Sequence, residues 1–123
     1  MNQNTMIPKT ATASVGKYRI VKPGTNNGEA VLASAATDKI VGVSDNLDVV
    51  SGDRYDVVVA GYAPVTYGGT IAAGDPLTSD ANGAAVTAAP AVGSNVRLIG
   101  FAHFAGVAGD VWPIQVAPSV MQG

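Results

Sequence analysis

The chain has 123 residues, a formal charge of −2 and no cysteine. This length suits one domain; the charge argues against nucleic acid as the main partner, and the missing cysteines argue against a disulfide scaffold. Charged residues make up 13% of the chain, against about a quarter in ordinary globular proteins, which points to a surface largely covered by neighbours.

Residues 1–17 are small and polar, without a sustained apolar period, and read as a flexible or extended N-terminal arm. Residues 18–123 form a single β-rich domain. Tyr18–Lys22 predicts a first strand, closed by the Pro23-Gly24 turn. Glu29–Ala33 and Ile40–Val43 predict two more, although the Ala and Leu of residues 30–36 also suit a helical turn. Arg54–Ala60 alternates most clearly, with Tyr55, Val57 and Val59 on one face. Gly61 interrupts it, and Tyr62–Tyr67 continues the extended chain, with Pro64 implying an edge or a bulge. Leu77–Ser79 and Ala84–Thr87 flank Asp80-Ala81-Asn82-Gly83, whose Asn-Gly is a hairpin signal. Val96–Phe104 and Val111–Ala117 complete the set, with Trp112, Ile114 and Val116 on one face and Pro113 suggesting an edge. Many short strands with frequent turn signals predict an all-β protein, a compact barrel or sandwich.

Two stretches echo each other. Ile40-Val41-Gly42-Val43 matches Leu98-Ile99-Gly100-Phe101, and Val50-Ser51-Gly52-Asp53 matches Val107-Ala108-Gly109-Asp110. A strand follows each, which suits a domain built from two similar halves. The small-Gly-Asp triplet recurs at Ala73-Gly74-Asp75. Glycine reaches positive φ cheaply and aspartate caps turns, so a repeated turn device explains all three copies.

Catalytic chemistry is poorly represented. His103 is the single histidine and lies in an alternating strand, with no Gly-x-Ser-x-Gly elbow anywhere. It reads as a strand histidine at a rim or interface. One histidine and no cysteine disfavour zinc. Asp45, Asp48, Asp53 and Asp56 lie within twelve residues, but their spacing does not fit an EF-hand loop. Turn capping is the expected role of this cluster, and ion binding the alternative. No phosphate-cradling glycine loop occurs. Cofactor, metal and small-molecule substrate are therefore not expected. The longest uncharged run, Val57–Gly74, contains Pro64 and four glycines and is not a membrane helix. Residues 1–22 carry Lys9, Lys17, Arg19 and Lys22 without an acid, whereas residues 23–123 carry three bases and nine acids. The four bases are candidate contacts to an acidic partner surface. Tyr62, Phe101 and Trp112 are candidate subunit-contact or core residues, since aromatics anchor interfaces.

Glu29–Ala33, Ile40–Ser44, Ser51-Gly52-Asp53, Val57–Gly61, Ala73–Leu77 and Asp80–Gly83, taken in that order, resemble the capsid-cement or head-decoration proteins of tailed bacteriophages. The resemblance covers residues 18–117 and leaves the N-terminal arm unaligned. It implies an all-β virion protein, synthesised in the host cytoplasm. Such a protein binds the outer surface of the capsid as a homotrimer and joins neighbouring major capsid proteins without catalysis. The arm's bases would then meet the shell. A tail, fibre or cell-surface binding module is the alternative expectation.

Overall fold

The computed structural model describes residues 4–123. It is all-β, and no helix occurs among the described residues. Nine strands follow in order: β1 (Thr5–Thr10), β2 (Ile20–Pro23), β3 (Ala30–Leu32), β4 (Gly42–Ser44), β5 (Arg54–Thr66), β6 (Pro76–Ser79), β7 (Ala85–Thr87), β8 (Asn95–Ala102) and β9 (Val111–Gln122). They form one curled antiparallel sheet in the order β3-β2-β4-β5-β9-β8-β6-β7, with β1 added to β5.

β5 is the hub. Its first part, up to Ala60, pairs with β1 and β4; its second part, from Gly61, pairs with β9. Gly61, at φ +106°, marks the change. The chain thereby divides into two halves, 5–60 and 61–117, with matching registers. Met6 opposes Val58, Val58 opposes Val43, and Val43 opposes Ile20. In the second half Tyr62 opposes Gln115, Gln115 opposes Phe101, and Phe101 opposes Pro76. Each row crosses four strands at corresponding positions. The echo of two short motifs in the sequence thus extends to a repeat of the whole half.

Close approach explains why both echoed motifs keep their central glycine. A Cβ on Gly42 would strike the Val58 carbonyl oxygen, and one on Gly100 would strike that of Gln115. Val58 and Gln115 occupy equivalent places in the two rows, so the same tight crossing is built twice.

Most of the expected strands are present, with ends moved by a few residues. Residues 30–36 resolve into β3 followed by a turn, which Asp38 caps by accepting from the Ser34 N–H at 2.8 Å. Two paired strand segments were not foreseen. Within the stretch read as an arm, Thr5–Thr10 pairs along β5, and Ala11 and Val15 are 1% exposed in the core. Their apolar content is too sparse to show a period. The other piece is the end of β9, where Ser119–Gln122 pairs with Asn95–Leu98. Pro64 lies in the second part of β5, which pairs with β9 on one side only, so it stands at an edge as expected, and directly opposite Pro113. Neither ring can donate a bond, so the two can face each other only where the ladder needs none.

Two apolar clusters fill the fold. One gathers Ala11, Val15, Val21, Ala30, Val49, Tyr55 and Val57 within the first half. The other holds second-half residues such as Leu77, Ile99, Ile114 and Val116 together with Ile20, Val43 and Val58 from the first half. β5 therefore has Val57 in one cluster and Val58 in the other.

The repeat also exposes a flaw. Gly74, at φ +91°, has its counterpart at Tyr18, which takes φ +58° and is the single non-glycine residue with positive φ among the described residues. A side chain there is strained by about 1 kcal/mol or more. Tyr18→Gly should raise the urea midpoint, with a gain of about 1 kcal/mol. Gly42→Ala should lower stability by about 1–3 kcal/mol through overpacking against the Val58 carbonyl. Equilibrium urea unfolding of both variants checks the pair.

Candidate functional site

The three small-Gly-Asp triplets fold alike. Gly52, Gly74 and Gly109 have φ of +95°, +91° and +91°, values that glycine adopts without steric cost. In each turn the aspartate Oδ2 accepts from the N–H three residues earlier, of Val50, Ala72 and Val107, at 3.0 Å. Each turn also clamps one residue of another segment. The glycine N–H groups donate to the carbonyls of Ala11, Ala102 and Tyr67, and those residues donate back to the carbonyls of Asp53, Asp75 and Asp110.

Four of the remaining six acids follow the same habit. Glu29, Asp38, Asp48 and Asp80 accept backbone N–H bonds from Asn26, Ser34, Lys17 and Asn82. The 45–56 cluster therefore does not act as a unit: Asp48 and Asp53 serve separate turns. Asp45 and Asp56 have no side-chain hydrogen bond among the described residues. They line an open groove of about 290 Å³ with Pro8, Asn46, Leu47 and Arg54. Burial alone would raise the Asp38 carboxyl, but bonds from Ser34, Ala35 and Lys22, with the charge of Lys22, hold it below its ordinary value. Its contribution to stability is present above that ordinary value and is lost as pH falls through the lowered one.

The candidate bases occupy two segments. Lys9 lies on β1 opposite Tyr55. Lys17 is exposed, its Nζ 6.0 Å from the centre of the Tyr18 ring. Arg19 donates to the Asn82 carbonyl at 3.4 Å. Lys22 forms an ion pair with Asp38 at 3.3 Å.

The aromatic candidates divide. Tyr62 and Phe101 flank Gln115 in the second-half row, 44% and 39% exposed. The His103 ring meets Tyr62 edge-on at 5.1 Å. Trp112 instead stacks on Phe104 at 5.1 Å, with planes 21° apart. Phe104 lies past the echoed motif, at the place Asn46 holds in the other half, and no local pattern in the sequence marks it. His103 thus belongs to an exposed aromatic corner, with no nucleophile or carboxylate hydrogen-bonded to it among the described residues. The interior tyrosines are structural. Burial pushes the Tyr55 hydroxyl up to about 12, and it donates to the Ala30 carbonyl at 2.8 Å. Burial, then the charges of Asp110 and Asp75, raise Tyr67, which donates to the Phe104 carbonyl at 2.8 Å.

Asp110→Ala should lower stability by about 1 kcal/mol, the usual worth of one hydrogen bond. The pair Asp45→Asn and Asp56→Asn should stay within about 0.5 kcal/mol of the parent, and millimolar calcium should leave the thermal midpoint unmoved. Thermal melts with and without calcium check all three.

The family model for phage cement proteins matches residues 3–117. No curated protein matches the chain. Among solved structures the chain is similar to the N base of the head fibre gp8.5 of bacteriophage phi29, with a TM-score of 0.69 at 22% identity over 94% of this chain and 95% of that one. At that identity the likeness concerns the fold.

Proposed function

The chain belongs to the phage cement protein family, and we propose that it sits on the outer surface of the phage head and ties neighbouring major capsid proteins together as a homotrimer. The observation that carries this reading is the family match over nearly the whole chain. It makes the protein a structural, capsid-associated component of the virion.

The physics of the molecule supports the same role. The sheet is continuous through both halves, and three clamped turns brace it, so it can transmit force between the subunits it touches. Seven of the nine acids are engaged with backbone N–H groups, which leaves the carboxylates as parts of the scaffold rather than of a reactive centre. The role is structural, without a catalytic step. A protein that binds the assembled shell stabilises it by RT ln(1 + [L]/Kd) at every site. Repetition over an icosahedral surface multiplies a modest gain at each.

Of the four candidate bases, Lys22 is already paired with Asp38 and Lys9 lies beside Tyr55. Lys17 and Arg19 are therefore the residues proposed to meet an acidic shell. Removing residues 1–16 takes away β1, Ala11 and Val15, so such a truncation tests folding rather than capsid contact.

Heads lacking the protein, mixed with the purified chain, should gain density at three-fold positions by electron microscopy and survive a higher temperature. Lys17→Glu with Arg19→Glu should weaken head binding and flatten its salt dependence while leaving the fold intact. Heads that gain no density with the parent chain would refute the proposal.

A further inference from the structure

The contact between the two halves is a template for contact between copies. In the first half the outer row runs Met6, Val58, Val43 and Ile20; the last three are 0–2% exposed because second-half residues pack over them, and Met6 at the end of the row is 42% exposed. The equivalent row of the second half is Pro76, Phe101, Gln115 and Tyr62. It carries two aromatic rings: Phe101 is 39% exposed where its counterpart Val43 is covered, and Tyr62 is 44% exposed, as open as its counterpart Met6.

The complementary side shows the opposite asymmetry. Ala63, Val65, Ile99 and Val116 of the second half are 0–3% exposed and share a cluster with that first-half row. Strand register places Ile7 and Lys9 where Ala63 and Val65 stand, because Ile7 opposes Val57 and Ala63 opposes Ile114. Ile7 is 41% exposed, and Lys9, Val41 and Val59 are half-buried. In the first half Val41 and Val59 pack in part against its own cluster while Ile7 stays open, so this face receives only part of the cover of its counterpart. The second half has an outer row that covers nothing.

We propose that these two open surfaces meet between copies. The row Tyr62–Gln115–Phe101 of one chain packs on the Ile7, Val41 and Val59 face of the next, repeating the junction inside the chain. The occupant is a second copy because the surface offered is the counterpart of one the chain already uses against itself. Such a contact is head-to-tail and leaves an open surface at each end of a row of copies, so it is satisfied by a closed ring. One element changes: the Ile20 N–H donates to the Gly83 carbonyl at 2.8 Å, and Pro76 has no N–H to offer. The contact between copies depends correspondingly more on its aromatic rings. This inference rests on the proposed homotrimer and names the surfaces that form it.

The chain has no cysteine, which makes thiol cross-linking selective. Two single variants, Ile7→Cys and Phe101→Cys, are treated with a short bismaleimide, alone and mixed, in solution and on heads. The expected result is a cross-linked dimer containing one chain of each kind, in the mixture only. A like-with-like dimer from either single variant, or no dimer in the mixture, overturns the proposal. In a second arm Tyr62→Lys with Phe101→Lys, both at exposed positions, should keep the parent circular dichroism spectrum and weaken self-association by about thirtyfold, as loss of an interface hot spot does. A folded double variant that associates like the parent also overturns it. If the parent chain decorates heads while the mixed dimer fails to form, the cement role stands and this contact falls. If the mixed dimer forms in solution but heads are not decorated, the contact stands and the cement role falls.

Discussion

β5 carries apolar residues on both of its faces, and that two-sided burial holds the protein together. Val57 points into the cluster of the first half and Val58 into the cluster shared with the second. Full burial of a valine contributes roughly 1.5–3 kcal/mol, so adjacent residues of one strand stabilise two different cores. The strand then continues through Gly61 and supplies the strand on which β9 pairs. Neither half can shift without disturbing the register of the other. A small-residue core, poor in large aromatics, gains from this arrangement, because one strand serves two packed layers.

The repeat is accurate in backbone and loose in side chains. The glycine crossings at Gly42 and Gly100 and the clamped turns at Gly52 and Gly109 are shared by both halves. Packing volumes are redistributed between them. Ala11 and Val49 in the first half correspond to Tyr67 and Gly106 in the second, and a Cβ on Gly106 would meet both Tyr67 and Trp112. A larger residue on one segment is balanced by a smaller one on its partner, as dense packing requires. Outside the cores the halves diverge further. The first carries a groove edged by two uncommitted carboxylates, and the second an aromatic corner. The divergence gives a repeated scaffold two unlike ends.

The low content of charge finds a physical explanation in the same framework. Most acids are spent on turn N–H groups, and one of the seven bases is ion-paired. What remains outside includes many apolar side chains, among them Leu47, Val92, Phe104 and Trp112. Such a surface incurs little desolvation cost when covered by protein, in contrast to one rich in lysine and glutamate.

Local features were legible from the amino acids alone. Alternation placed most of the strands, Asn-Gly marked the hairpin between β6 and β7, and the small-Gly-Asp triplets were recognisable as turns because φ and capping are set by the residues themselves. The motif echo was visible where both halves need the same glycine for the same close approach. Long-range pairing was decided by the tertiary structure. Residues 5–10 show no periodicity of their own, and β5 alone makes them a strand. Pro64 reads as an edge residue, but that its partner across the ladder is a second proline, Pro113, is set by strand register. That Tyr62, Phe101 and Trp112 all stay exposed rather than joining the core depended on what covers each sheet face, and coverage is a property of packing that no local pattern carries.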